Sequence, residues 1–442
     1  MQTQTRYRHF TGAAIIVAIA SLVGVARADT FRIEIDYMGS DGSHDHQPSQ
    51  MVLDAVIQMF ACQGHTLIID LDDQIPHCNA LLTDPMTNCG NFWTYDGDPC
   101  TFKAIKDTYF DHAGDDPAWF YCVFAHQYRS LNSANPPACV TSGSSGRSDG
   151  GQNLIVTLGN FGGQTGTPFE QAATLAHEFG HCLGLSHCGT MDCSSNTDTG
   201  DPTFVGPQVP NLPSVMSYRY QLAGVRTQTL MLGLAPDESL FKDIDYSFGR
   251  MCSLDENNLD ETRGTTMTPV DWDCDGVMNV GVVQDINGGN SGWCGSTGNT
   301  TTLDDYNEWA NLVPGVGLIG GGVPRAADIL AERRAMLDSQ PCISAEEWAQ
   351  VQLEIGMPRG GGPALMIESC LNGINIYLTP DDQLFMTGSC TAPIDSVLIA
   401  NAFAPAGSVC YLEPGVYQEG QEILLDKPVI YLCEIGTAVI EP

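Results

Sequence analysis

Three histidines and a glutamate within eleven residues are the part of this sequence best suited to chemistry. They lie in the stretch Ala176-His-Glu-Phe-Gly-His-Cys-Leu-Gly-Leu-Ser-His187. Helix residues four apart share a face, so His177 and His181 can bind one metal ion. Gly184 can adopt a positive φ and end the helix, which lets His187 turn back to the same ion. Three neutral imidazoles leave a coordination position open, as in catalytic zinc sites.

Glu178 directly follows the first of these histidines. At that position its carboxylate can contact a zinc-bound water rather than the metal, and act as a general base. Five specified residue types in eleven positions, in a chain with 10 histidines, argue against a chance arrangement on an amphipathic helix.

The pattern HExxHxxGxxH resembles the signature of the metzincin clan of zinc metalloendopeptidases. The resemblance implies a methionine turn beneath the zinc, and Met216 in the segment 211–218 matches it. It also implies a role for Tyr218, because astacin-like and serralysin-like families carry a tyrosine there that reaches the transition-state oxyanion. Cys188 departs from the better-known subfamilies, so the sequence does not place the chain in one of them.

The resemblance implies a secreted zinc-dependent endopeptidase. A zinc-activated water would attack a peptide bond of a protein substrate, with Glu178 as general base and with zinc and Tyr218 stabilising the oxyanion. The alternative is a catalytically idle, calcium-dependent adhesion or carbohydrate-binding protein on a metzincin scaffold. Such a protein would be expected to lose Glu178 or a zinc ligand, and the sequence retains them all.

The elements before the motif must position it, and their order predicts an α/β layer with one mixed sheet. The resemblance implies an α/β (α+β) metzincin-like catalytic domain with a twisted mixed sheet and an active-site helix. Thr167, Pro168 and Glu170 predict a capping box at the start of that helix. The resemblance implies that substrate lies beside the outermost strand, which we assign to residues 153–158. The predicted order is strand 31–37, helix 49–63, strand 66–71, strand 118–128, strand 153–158 and helix 168–183.

An Asp-rich stretch further along the chain begins like a calcium loop. Asp271, Asp273 and Asp275 precede a glycine in the D-x-D-x-D-G pattern, which gathers the hard oxygen ligands that calcium prefers. Val282 stands where an EF-hand has its bidentate acid, so a solvated acidic loop is the alternative. The sequence predicts zinc as a cofactor and adds calcium as a second candidate.

Composition divides the chain into five parts. Shifts in Gly, Asp and apolar content separate residues 29–260 from an Asp/Gly-rich region over 261–312 and a linker with helices over 313–364. The resemblance implies that residues 29–260 form the zinc protease domain. Residues 365–442 predict a small all-β C-terminal appendage resembling the coils of a β-helix. An unknown extracellular partner is one candidate ligand for that appendage.

The first part, residues 1–28, predicts a signal peptide. A basic start is followed by an apolar run over 13–24 and by Ala26-Arg-Ala28, an A-x-A cleavage site. The run is too short to span a bilayer. We therefore expect a secreted protein that is extracellular, periplasmic or attached to the cell surface, with no membrane span. Because the first strand follows the cleavage site directly, no propeptide with a zinc-blocking cysteine is expected.

The charge of the chain excludes some partners. With 53 acidic and 18 basic residues and a net charge of −35, it lacks the basic surface that nucleic acid or anionic lipid would require. Protein or peptide substrates are the expected partners.

Cysteines and the other histidines complete the inventory. The 17 cysteines of an exported chain are expected to pair, with one left over. Near the site, disulfides are favoured over zinc binding for Cys182, Cys188 and Cys193.

The other histidines fall into two groups. For His44 and His46 a polar loop is favoured over a metal site. Four more are expected to be isolated structural residues: His65, His77, His112 and His126.

Overall fold

The structure is a computed structural model that describes much of the chain up to residue 354 and short stretches beyond it. The predicted signal peptide, residues 1–28, lies outside the described residues. The described residues are 29–81, 99–115, 119–131, 139–189, 208–225, 241–242, 244–249, 251, 253–262, 270–287, 300–313, 342–354, 364–365, 375–378, 409–412, 415–418, 430–432 and 438–441.

Strands outnumber helices in the described part of the chain. The strands are β1 (Thr30–Met38), β2 (Thr66–Ile75), β3 (Phe120–Ala125), β4 (Arg129–Leu131), β5 (Cys139–Thr141), β6 (Gly146–Ser148), β7 (Asn153–Thr157), β8 (Phe241–Lys242), β9 (Leu254–Asp255), β10 (Leu259–Asp260), β11 (Val280–Val282), β12 (Thr302–Leu303), β13 (Ala364–Leu365), β14 (Asn375–Leu378), β15 (Val409–Leu412), β16 (Gly415–Gln418), β17 (Ile430–Leu432) and β18 (Ala438–Glu441). The helices are α1 (Gln50–Cys62), α2 (Phe102–Tyr109), α3 (Pro168–Cys182), α4 (Tyr218–Gln221) and α5 (Ala345–Glu354).

A five-stranded sheet with the order β2-β1-β3-β7-β6 organises the N-terminal half. Its first four strands are parallel, and β6 runs antiparallel to β7 at one edge. This mixed α/β arrangement with a mostly parallel sheet confirms the predicted fold class at that level.

Helices cover both faces of the sheet, so its central strands are buried on both sides. Phe120, Cys122 and Phe124 of β3 lie in the same core as apolar residues of α1 and α3. Tyr121 and Val123 of β3 point the other way and pack with apolar residues of α2. Helix α3, which carries the histidine motif, is thus held against the sheet by a continuous apolar core.

The outer edge of the sheet differs from the prediction. We expected residues 153–158 at the edge, but β7 pairs on both sides and β6 lies outside it. The sequence of β6, Gly146-Arg147-Ser148, lies in a Ser- and Gly-rich stretch without polar alternation, so it resembled a loop. Backbone pairing with β7 makes it a strand.

The start and end of α3 follow the sequence closely. Thr167 Oγ1 accepts from Glu170 N at 3.2 Å, and Glu170 Oε2 accepts from Thr167 N at 2.7 Å, which confirms the capping box. The helix ends at Cys182, and Gly184 has a φ of 86°. This left-handed backbone turns the chain toward His187, as the sequence predicts.

The C-terminal strands form small parallel ladders. Strands β14, β15 and β17 pair in one, and β16 pairs with β18 in another. The β-helix resemblance of residues 365–442 and the predicted domain boundaries stay predictions. Within the ranges described, no helix combines the length and apolarity needed to cross a membrane.

Candidate metal centre and active site

The three motif histidines converge on one point. The Nε2 atoms of His177 and His181 are 3.1 Å apart, those of His177 and His187 are 3.2 Å apart, and those of His181 and His187 are 2.9 Å apart. All three side chains are buried. Helix α3 supplies the first two, and the turn at Gly184 supplies the third.

The opposite ring nitrogens show why these Nε2 atoms suit a metal. His177 Nδ1 donates to Val215 O at 2.7 Å, and His181 Nδ1 donates to Leu185 O at 2.9 Å. A neutral imidazole that donates through Nδ1 has a lone pair on Nε2, so lone pairs face one another without a proton between them. Burial lowers the pKa of His181 to about 4, and it lowers those of His177 and His187 well below the ordinary value.

This donor set fits zinc. Neutral imidazoles are ordinary zinc ligands, and the orienting carbonyls fix the rings as in known zinc sites. The Nε2 lone pairs of His177 and His181 lie 3.1 Å apart in a buried site, an arrangement that is electrostatically unfavourable without a cation or a proton between them. The residues therefore meet the requirements of a metal that the motif implies.

The Met-turn lies beside this cluster. Val215, whose carbonyl orients His177, is itself held by a bond from its N to Asp245 O at 2.9 Å. Met216 is fully buried, and its Sδ lies against Gly180 of α3, where a Cβ would overlap it. The loop thus supports the three histidines through the hydrogen bond from His177 to Val215 and the packing of Met216 on Gly180.

Tyr218 reaches the same site. Its ring centroid is 4.5 Å from that of His187 and 6.2 Å from that of His177. The side chain is buried, and burial raises its pKa well above the ordinary value, so the phenol stays protonated. A protonated hydroxyl is a hydrogen-bond donor, as an oxyanion requires.

Glu178 is buried between α3 and the edge strand. Its carboxylate packs against Gly146 of β6, where a Cβ would overlap Oε1. Burial raises the pKa of Glu178 to about 8, an effect that the Cys342 thiol and Arg147 partly offset. A carboxyl group whose proton affinity is shifted toward neutral pH suits proton transfer.

Cys342 is a site residue that the sequence did not reveal. Its Sγ and one ring nitrogen from each of His177, His181 and His187 all lie within 4.8 Å of one another. Cys342 is buried and forms no disulfide. It lies far along the chain from the motif, and only the three-dimensional fold brings it there.

Two of the cysteines beside the motif have different roles. The disulfide predicted for Cys182 is wrong, because its buried thiol contacts Ser148 Oγ at 3.1 Å and Asn153 O at 3.7 Å. Helix α3 directs this side chain into the core toward polar partners rather than toward another cysteine. Cys188 is disulfide-bonded, and Cys193 lies outside the described residues.

The Asp-rich stretch forms a tight loop. Carboxylate oxygens of Glu261, Asp271 and Asp273 lie within 4.8 Å of one another. This group contains Glu261, which the sequence did not suggest, and does not include Asp275. Backbone N–H groups of the loop bond to these acids; Gly276 N donates to Asp271 Oδ2 at 2.8 Å and Trp272 N to Glu261 Oε1 at 2.6 Å.

Four of the remaining histidines form a second cluster. The sequence placed His44 and His46 in a polar loop and treated His77 and His126 as isolated, but ring nitrogens of all four lie within 4.8 Å of one another. The expectation of isolation is wrong because they follow neighbouring strands of the sheet. His65 stacks on Trp309, and His112 stacks on Trp119.

The segment that carries the histidine motif is similar to a known family of zinc metalloproteases. Residues 116–212 match the family model Peptidase_M43, described as Pregnancy-associated plasma protein-A, which is a metzincin-clan zinc metalloprotease family. This match confirms the resemblance predicted from the sequence for a segment that contains the histidine motif. Searches of curated proteins and of solved structures gave no match.

Proposed function

We propose that the protein is a secreted zinc-dependent endopeptidase that hydrolyses peptide bonds of protein substrates. The observation that carries the proposal is the convergence of three buried Nε2 atoms next to the ring of Tyr218. The Glu178 carboxyl interacts with the Cys342 thiol, which lies within 4.8 Å of a ring nitrogen of each histidine. The family match at residues 116–212 supports a metallopeptidase.

The residues would divide the chemistry among them. His177, His181 and His187 would hold zinc, which lowers the pKa of water and polarises a carbonyl when bound. Glu178 accepts a proton from the attacking water and returns it to the leaving amine. A nearby divalent cation favours the ionised carboxylate that this first step needs, despite the burial. Tyr218 donates a hydrogen bond to the developing oxyanion.

The edge strand β6 is positioned to hold the substrate. Its inner side pairs with β7, so its outer side offers backbone groups to an extended peptide. Because Glu178 packs on Gly146 of this strand, a peptide paired there would pass directly by the general base.

Chelation tests the proposal. Casein hydrolysis is measured with the wild-type chain and with Cys342→Ser, which removes the thiol beside the histidines. A chelator should abolish the cleavage, and added zinc should restore it. Zinc binding without cleavage in both chains would contradict the proposal and support the idle adhesion protein instead.

Three finer parts of the proposal have their own tests. Secretion with removal of residues 1–28 is tested by N-terminal sequencing of exported protein, which should begin at Asp29. Calcium binding by Asp271, Asp273 and Asp275 stays a prediction from the sequence, and calorimetric titration with calcium tests it. A solenoid-like fold of residues 365–442 and its contact with an extracellular partner stay predictions from the sequence. Cross-linking of the intact protein in its native medium tests that contact.

A further inference from the structure

The second histidine cluster lies at one edge of the parallel sheet. His44 and His46 follow β1, His77 follows β2, and His126 follows β3. These three strands are adjacent and parallel, so their carboxyl ends meet at the same edge. The fold therefore gathers histidines from three separate chain segments, at a distance in sequence that no spacing motif describes.

The geometry of the four rings is compact. All six pairs of ring centroids are 4.9–5.5 Å apart. His44 Nε2 is 3.1 Å from His126 Nδ1. Each residue offers one nitrogen to the group within 4.8 Å, which small side-chain rotations bring to a common tetrahedral ion.

Two buried nitrogens of this cluster have no hydrogen-bond partner among the described residues. His46 is 4% exposed, and its Nε2 is a buried atom with no hydrogen-bond partner among the described residues. His77 Nε2 is also buried and also has no such partner. Burial and the neighbouring imidazoles lower the pKa of His46 to about 3, so the ring stays neutral at physiological pH. Buried polar atoms without partners cost free energy unless a ligand satisfies them.

The surroundings hold the rings in place. His46 N donates to Met38 O at 3.0 Å, and His126 N contacts Met38 Sδ at 3.4 Å. Cys78, next to His77, forms a disulfide with Cys100. Outside the ring cluster, His44 Nδ1 lies 2.8 Å from Ser43 Oγ and 3.6 Å from the Asp41 carboxylate, an orienting arrangement typical of metal-bound histidine.

We propose that His44, His46, His77 and His126 form a second metal site, separate from the catalytic one, that binds a divalent transition metal such as zinc. Four imidazoles suit zinc and exclude calcium or magnesium, which require oxygen ligands. Four protein ligands close a tetrahedral ion to substrate, so the site is structural. It joins the loops that follow β1, β2 and β3.

Zinc stoichiometry of the untagged, dialysed chain tests this site. The wild type should carry about two zinc ions per chain, and the double variant His46→Gln/His77→Gln about one. The control His112→Gln removes a histidine outside both clusters and should keep both ions. A wild type with one zinc, or a double variant that keeps two, would overturn the proposal.

A second pair of variants guards against misfolding. His177→Gln/His181→Gln removes catalytic ligands and leaves the four-histidine cluster intact, so it should still bind about one zinc ion per chain. With cobalt in place of zinc, this variant should show the visible absorption of a tetrahedral all-nitrogen site. Zero bound metal in a folded variant, judged by circular dichroism, would also refute the site.

Discussion

Gly180 of the active-site helix lies directly against Met216 of the Met-turn, with no room between them for a side chain. A Cβ at position 180 would overlap Met216 Sδ and would also come within 3.1 Å of Tyr246 Oη. Tyr246 in turn donates to Ala176 O at 2.6 Å, one residue before His177. The close approach of two loops to α3 thus depends on a glycine between the two motif histidines of that helix.

Gly180→Ala is therefore expected to destabilise the protein. An extra methyl group in a closely packed core costs about 1–3 kcal/mol of the free energy of unfolding. Urea unfolding measures the change. Gly162→Ala is the control, because nothing lies within 4 Å of its added Cβ. Equal stability of the two variants would mean that the contact between α3 and the Met-turn is not close.

Tyr218→Phe tests the oxyanion role. The ring keeps its packing 4.5 Å from His187 and loses only the hydroxyl. Loss of one oxyanion donor lowers kcat by roughly 10²–10³-fold. Steady-state kinetics with a peptide substrate should show that fall with KM and zinc content little changed. A variant that loses substrate affinity but keeps kcat would point to a binding role instead.

Glu308, which lies outside the histidine clusters, gives a test of how the stability of the fold depends on pH. Burial raises its pKa to about 8, above the ordinary 4.5, while hydrogen bonds from Ser214 and Ser247 and the charge of Asp305 act more weakly. Between these two pKa values the folded state holds a proton that the unfolded chain loses. The contribution of Glu308 to the free energy of unfolding is therefore full below pH 4.5, and it is lost as the pH rises through 8.

Glu308→Gln should flatten that part of the stability profile. Glutamine is neutral at every pH, so the loss of stability between pH 5 and 8 should be smaller than in the wild type. Denaturant unfolding across this range measures it. Profiles of wild type and variant that run parallel would show that the buried carboxyl does not set the dependence.

The sequence predicted those site residues that lie close to one another along the chain. His177, His181 and His187 share one helix and one turn, and the φ of Gly184 follows from its position after that helix. Cys342 and the four-histidine cluster depend on which distant segments meet, and that is fixed by strand order and crossovers. For the same reason the edge strand β6 could not be predicted from the sequence. Its three residues carry no polar alternation, and they form a strand only because they pair with β7.

Glu178→Gln tests the central claim most directly, because glutamine keeps the shape of the side chain and cannot accept the proton. Zinc content and casein cleavage are measured on the same preparations, in the Cys342→Ser background. The account predicts unchanged zinc and a fall in cleavage of about 10²–10⁴-fold or more. Full cleavage by the glutamine variant with zinc bound would contradict it.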